Sequence, residues 1–447
     1  MHLDCDRQHY QSPFRRGNAL MYFPSKSQHK YSFRLSSKSQ LTTVDRFGFL
    51  YVAASLMEYV PAVSFRTAIF LLVAIWFTAD VLKRGVLFAS KSFFYLDVLL
   101  LLFLSLAVFS VYWAIFNGVE FEDWMRGLVP FLFLGVYFTI DKSEPQLVER
   151  IIRWLYIATW VWVIRIAFEL MLISVAGSTF GAERLTSVIN DSVIPFGIIT
   201  VPFLIPMLNG FKKVAPIALL LILLLITILT GYRSQTLIIL TQIFLLLFIW
   251  GANFRKLATL FGVLLLFIVL AFSFLDVKAD IDRIENRFEM TDATFEASRL
   301  AEWGFALDNF VKNPLFGGGI GLQVPAEITF YGADINSLNT FMVIPDSSGY
   351  VHNVTAYLMM TLGAIGVGIY YFIMAGSLLS LAFVRRWHDP HMRRLALTAA
   401  LSLISLLVYF QVQAAFRMIQ MNLATIALLS MLVSLGTQKK LGRGSAK

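Results

Sequence analysis

Apolar runs long enough to cross a lipid bilayer recur along most of this chain, and they restrict its fold more than any other feature. A helix needs roughly 17–25 apolar residues to span the hydrocarbon core, and about twelve runs of that size can be read here. They fall near 47–63, 65–82, 94–116, 124–140, 151–174, 193–208, 214–231, 234–250, 255–275, 352–384, 394–413 and 416–436. The first pair is crowded by Pro61 and Arg66 at a tight turn. The fold class expected is therefore all-α: a polytopic membrane protein with about twelve transmembrane helices.

Charge supplies the orientation. Arg7, Arg15, Arg16, Lys26, Lys30, Arg34, Lys38 and Arg46 precede the first run. Alternate connections carry Lys83, Arg84 and Lys91, then Lys142 and Arg150, Lys212 and Lys213, Arg255 and Lys256, and Arg385, Arg386, Arg393 and Arg394. With Lys439, Lys440 and Arg443, all of these share one side of the membrane if the spans number twelve, and that side is the cytoplasm. The same clustering explains the net charge of +9 as a topology signal, so no nucleic-acid partner is expected. At 58% apolar, the chain exceeds the roughly 45–50% of soluble domains. The first run begins near Phe47, too far in for a secretory signal peptide. The lone Cys5 leaves no internal disulfide and no cysteine-based metal site.

These signals divide the chain into a basic, polar segment at 1–46, expected to be disordered, and membrane helices over 47–275. A large outer loop follows at 276–350, then membrane helices over 351–436 and a cytoplasmic tail at 437–447. The loop holds twelve acids against five bases, and a connection of that length is usually functional. Phe295, Arg299, Trp303, Ala306, Leu307 and Phe310 recur at three-to-four spacing, which predicts a helix. Asp292 or Thr294 can cap its start, and Asn313-Pro314 ends it. No internal repeat and no broken helix is legible.

Five of the six histidines, His2, His9, His29, His388 and His391, fall in segments that read as cytoplasmic. His352 alone is assigned outside, where the loop ends and an apolar helix begins. A titratable imidazole there is a candidate for chemistry at the bilayer boundary, or else a simple cap on the helix starting at Asn353. Arg184, Arg233, Arg299 and Arg417 stand at outer span edges. Such arginines either clamp phosphate with a bidentate fork or snorkel to lipid headgroups. Arg233 sits on the very short turn Thr230-Gly231-Tyr232-Arg233-Ser234, where the two readings are balanced. Gly317 to Gly321 either cradles phosphate or makes a tight turn after a helix, and the turn is the simpler account. No metal is expected, because the acids from Asp276 to Glu296 follow no EF-hand spacing. Arg165 and Glu169, one helical turn apart, read as a structural pair or one tied to transport.

Taken in order, several of these segments resemble the O-antigen ligase and Wzy-type polymerase superfamily. The similarity lies in Thr230-Gly231-Tyr232-Arg233-Ser234, in Ser298-Arg299-Leu300 with Trp303, and in Asn313-Pro314-Leu315-Phe316-Gly317-Gly318-Gly319-Ile320-Gly321. It extends to His352-Asn353 followed by Gly363-Ala364-Ile365-Gly366, and covers roughly 180–370. Ser234 stands where the family often has Gly, and the first 46 residues are no part of the pattern.

The resemblance implies a GT-C-like, inverting, metal-independent membrane glycosyltransferase without a cofactor. Its donor would be an undecaprenyl-diphosphate-linked oligosaccharide. Its acceptor glycan would be a lipid-linked repeat unit in a polymerase, or lipid A-core in a ligase. His352 matches the family's essential histidine, Arg233 an arginine that binds the diphosphate, and Arg184, more loosely, another. Arg299 joins this set. The implied location is the bacterial inner membrane, with the site facing outward among membrane lipid. A chain-length regulator or a flippase would be the protein partner. A transporter and a non-catalytic assembly scaffold are the competing readings.

Overall fold

The computed structural model describes residues 43–57, 73, 75–76, 78–80, 82–83, 94–144, 146–175, 218–219, 222, 292–324, 351–379, 390–411 and 419–444. Helix is the regular structure throughout these residues, as the apolar runs predict, and no strand occurs among them. In chain order they form α1 (Thr43–Met57), α2 (Phe94–Phe109), α3 (Val111–Phe116), α4 (Phe121–Leu132), a 3-10 segment (Phe133–Thr139), α5 (Leu147–Val175), α6 (Asp292–Lys312), α7 (Val354–Leu379), α8 (Pro390–Phe410) and α9 (Ile419–Gly444). The runs expected near 193–208, 234–250 and 255–275 lie outside the described residues, as does nearly all of the one near 214–231.

Among the described residues, two stretches are long and apolar enough to cross a membrane by length and composition, Tyr95–Phe116 and Val354–Leu379. The first joins α2 to α3 through Ser110, whose backbone stays helical. α9 lies deepest: Met421 and every apolar residue from Leu423 to Leu435 are buried. A helix apolar on all sides belongs at the centre of a bundle. Its Asn422 Nδ2 donates to the carbonyl of Pro130 at 2.8 Å. Pro130 interrupts α4 just before the chain tightens into the 3-10 segment, so the asparagine satisfies a backbone acceptor at that change of helix type.

α7 departs from the single apolar helix expected. Gly363 has φ +64 and ψ −165, inside what is otherwise helix. The Thr355 and Tyr371 hydroxyls are 2.6 Å apart although sixteen residues separate them. On a continuous helix those residues would stand about 24 Å apart. The element therefore doubles back at Gly363 into two limbs, 354–362 and 364–379. Ring contacts agree. Tyr357 of the first limb meets Phe131, Phe131 meets Phe103, and Phe103 meets Tyr370 of the second, with centroids 6.3, 5.9 and 6.3 Å apart.

Breaking a helix frees backbone groups that an apolar interior cannot leave unmet. Here the segment after α6 enters the break and meets them. Gly318 and Gly319 N–H donate to the carbonyls of Met360 and Thr361 at 2.7 and 2.9 Å. Ala364 and Ile365 N–H donate to Pro314 and Leu315 at 2.8 and 3.2 Å. On its other side the segment packs on α3 and α4. Trp113 stacks on Phe316 at 4.7 Å, and the buried Ser110 hydroxyl accepts from the Ile320 N–H at 3.3 Å and from Trp124 Nε1 at 3.2 Å.

This contact explains the glycines. Gly317, Gly319 and Gly321 have φ of +70, +97 and +92. A Cβ on Gly317 would meet the Thr361 carbonyl carbon at 2.5 Å, and one on Gly319 the Ala114 backbone at 2.5 Å. The Gly-rich run is a packing device. Its N–H groups at 317 to 320 and at 322 are spent on partners within the protein, so they are not aimed at a phosphate.

Candidate functional site

α6 forms where the periodicity placed it, but its buried face is turned by about one residue. Glu302 and Ala306 are buried, while Leu300, Leu307 and Val311 are exposed. The expected stripe ran through Trp303, Ala306, Leu307 and Phe310, of which Ala306 is buried, Trp303 and Phe310 are half-buried and Leu307 is exposed. A carboxylate inside a helix's buried face needs a partner of its own, and Glu302 has one in His352.

Glu302 is 2% exposed and the His352 side chain 33%. The Nδ1 atom of His352 lies 2.9 Å from one Glu302 oxygen and 3.2 Å from the other. The backbone N–H of His352 donates to Glu302 Oε2 at 3.0 Å. One carboxylate thus grips both the ring and the main chain of the histidine. With Nδ1–H donated to the acid, Nε2 keeps its lone pair, the tautomer a base requires.

His352 does not cap the following helix. Asn353 does so, its Oδ1 accepting from the Ala356 N–H at 2.9 Å while its Nδ2 donates to the Gln411 carbonyl at 2.8 Å. The imidazole is left to Glu302.

Two parallel rods hold the pair. From Glu302, α6 continues to Lys312, and from His352 the chain enters the first limb of α7, 354–362, beside it. They meet at Glu302–His352 at one end and at Gly318–Met360 and Gly319–Thr361 at the other. Glu302 stands ten residues before the end of α6, and His352 stands eight and nine residues before Met360 and Thr361, so the two stretches are close in length.

Of the residues singled out from sequence, His352 stands in this site. Arg299 falls on the backbone of α6, three positions before Glu302. Arg184 and Arg233 lie outside the described residues, as does the Glu169 side chain. Among the described residues no three His, Cys, Asp or Glu side chains cluster as metal ligands would. Sequence reasoning missed Glu302. It is one of the twelve acids of the 276–350 loop, and no motif in the sequence singled it out. The available signal was its four-residue spacing from Ala306 on a helix that must bury one face.

A buried acid fixing the tautomer of a half-exposed histidine is the build of an acid–base site. Residues 218–371 match the family model described as O-Antigen ligase, so the chain carries a domain similar to that family, which supports membership of the O-antigen ligase and Wzy-type superfamily. Glu302, His352, the glycine-rich segment and the fold-back at Gly363 all lie inside the match. No curated protein matches the chain. The family is one of membrane glycosyl-transfer enzymes acting on lipid-linked glycans.

Proposed function

We propose that this protein transfers a glycan from an undecaprenyl-diphosphate-linked donor to a sugar hydroxyl, with His352 as the base and Glu302 as the residue that orients it. The observation that carries the proposal is the Glu302–His352 contact inside the family match. His352 Nε2 takes the proton of the acceptor hydroxyl. That oxygen bonds to the anomeric carbon opposite the diphosphate, and the carbon–oxygen bond to the diphosphate breaks with its electron pair. Undecaprenyl diphosphate leaves and the anomeric configuration inverts. Glu302 balances the imidazolium formed on the way, the role an acid plays behind a catalytic histidine.

Arg233, Arg299 and Arg184 are proposed to bind the departing diphosphate. Guanidinium groups stabilise its charge without a metal ion. The chain is placed in the bacterial inner membrane with both termini cytoplasmic, and 276–350 outside with the site. About twelve membrane segments are proposed. Polymerisation of repeat units for a surface or exported polysaccharide is the preferred activity. Transfer to lipid A-core is the second reading, favoured by the description of the matched family. A flippase and a chain-length regulator encoded beside the gene favour the polymerase, and core-sugar transferases favour the ligase.

The broken helix at Gly363 is a feature often met in transporters. Here the inserted loop seals the break, so it gives transport no support. The test is purified protein with undecaprenyl-diphosphate glycan, with and without EDTA. Product is expected in both and lost in His352→Ala. Normal polymer from well-expressed His352→Ala, or strict dependence on added divalent metal, overturns the mechanism.

A further inference from the structure

The fold-back of α7 brings Tyr371 against Thr355, three residues after His352, although a straight helix would keep Tyr371 and Thr355 about 24 Å apart. There it meets Thr355 on the first limb and Gln411, which follows α8. The three side chains form a closed ring of hydrogen bonds. Thr355 Oγ1 donates to Gln411 Oε1 at 2.8 Å, Gln411 Nε2 donates to the Tyr371 hydroxyl at 3.3 Å, and the Tyr371 and Thr355 hydroxyls share a bond at 2.6 Å. Gln411 Nε2 also reaches the Leu407 carbonyl at 3.4 Å. Tyr371 remains 38% exposed, and Thr355 and Gln411 are half-buried.

We propose that Tyr371, Thr355 and Gln411 form a subsite for the sugar of the acceptor, rather than for its lipid or for the donor's diphosphate. The inference rests on the glycosyl-transfer reading above and extends it to acceptor recognition. Its position is fixed by Asn353, which follows His352 directly and is tied to the Gln411 carbonyl at 2.8 Å. Thr355 lies three residues after His352, in the first turn of α7. Groups that orient an acceptor hydroxyl must lie this close to the base that deprotonates it.

The chemistry of the ring selects the ligand. It carries two hydroxyls and an amide and no charge. A phosphate would call for cations, whereas a neutral polyol is met by hydroxyl and amide groups. The ring uses its own protons internally, so the lone pairs left on the Tyr371 and Thr355 oxygens accept from sugar O–H groups. The exposed part of the Tyr371 side chain offers apolar surface to the C–H side of a pyranose. A purely structural ring would hold α7 to α8 equally well, but it would not affect sugar binding independently of stability.

The test uses the full chain in nanodiscs and the lipid-linked glycan extracted from a strain lacking this gene. The same glycan, released from its lipid by mild acid, serves as a probe of binding that requires no turnover. Tyr371→Phe and Thr355→Val keep shape and remove one hydroxyl each, and Gln411→Ala removes the amide. Each is expected to raise KM, and to weaken binding of the released glycan by saturation-transfer NMR, about three- to tenfold. kcat and the unfolding temperature should stay near the wild-type values for the two isosteric variants. His352→Ala should lose turnover yet bind the released glycan as the wild type does. Wild-type KM and glycan binding in both Tyr371→Phe and Thr355→Val, alongside an inactive His352→Ala, overturns the subsite and leaves the reaction assignment standing. An active His352→Ala overturns the assignment itself.

Discussion

At the scale of single residues, the site reduces to what one carboxylate does for one imidazole. Glu302→Gln preserves size and hydrogen bonding but gives Nδ1 an amide N–H as readily as an oxygen, so the tautomer is no longer fixed. The expected result is a fall in turnover of about 10²–10⁴-fold with glycan binding retained, measured on purified protein. Turnover of Glu302→Gln within a few-fold of wild type removes Glu302 from the mechanism. Arg233→Lys keeps a charge but loses the planar fork, so it should be impaired less than Arg233→Ala, which is expected to lose about ten- to a hundredfold in donor affinity or rate. A fully active Arg233→Ala refutes its role. His352 was legible in the sequence because assigning the basic loops to the cytoplasm singles out one histidine as the outer candidate. Glu302 was not, because only the fold reveals which of twelve acids is turned inward.

At the scale of elements, the glycines separate into two kinds. Gly319 and Gly363 have φ of +97 and +64 and lie against backbone that a Cβ would strike at 2.5 Å. Gly304, in mid-α6, has nothing within 4 Å of such a Cβ. Gly319→Ala is therefore expected to cost about 2–4 kcal/mol, combining left-handed strain with overpacking. Gly304→Ala should be neutral or stabilise by up to about 1 kcal/mol through helix propensity. Thermal unfolding of the detergent-solubilised protein distinguishes them, and equal shifts would contradict the clamp. The helices themselves were legible from periodicity and length, with α2 and α3 together, α5 and α8 close to their expected bounds. The reversal in α7 was hidden because Leu362, Gly363 and Ala364 continue an unbroken apolar run. Hydropathy records what a segment prefers as solvent, not the direction in which it travels.

For the whole molecule, the testable statement is its orientation. After Cys5→Ser, a probe at Ser337→Cys should react with an impermeant thiol reagent in intact cells, and one at His388→Cys should not. The reverse pattern would overturn the positive-inside assignment. The distribution of Lys and Arg made this expectation available from sequence, because it depends on side-chain charge alone and needs no tertiary contact. The acceptor ring was not available in that way. Thr355, Tyr371 and Gln411 are ordinary polar residues, and their meeting depends on the reversal at Gly363.

The pins between α6 and the first limb of α7 also bear on how the site comes together. Glu302 and His352 are fifty residues apart, and joining them directly would carry the entropy of closing that whole loop. Once Gly318 and Gly319 have docked on Met360 and Thr361, the remaining separation is taken up by two stiff helices already side by side. Most of the closure is then settled at the glycine end, and the acid and base find each other almost as neighbours. Damage to that distant turn should scatter Glu302 and His352 even when both are intact.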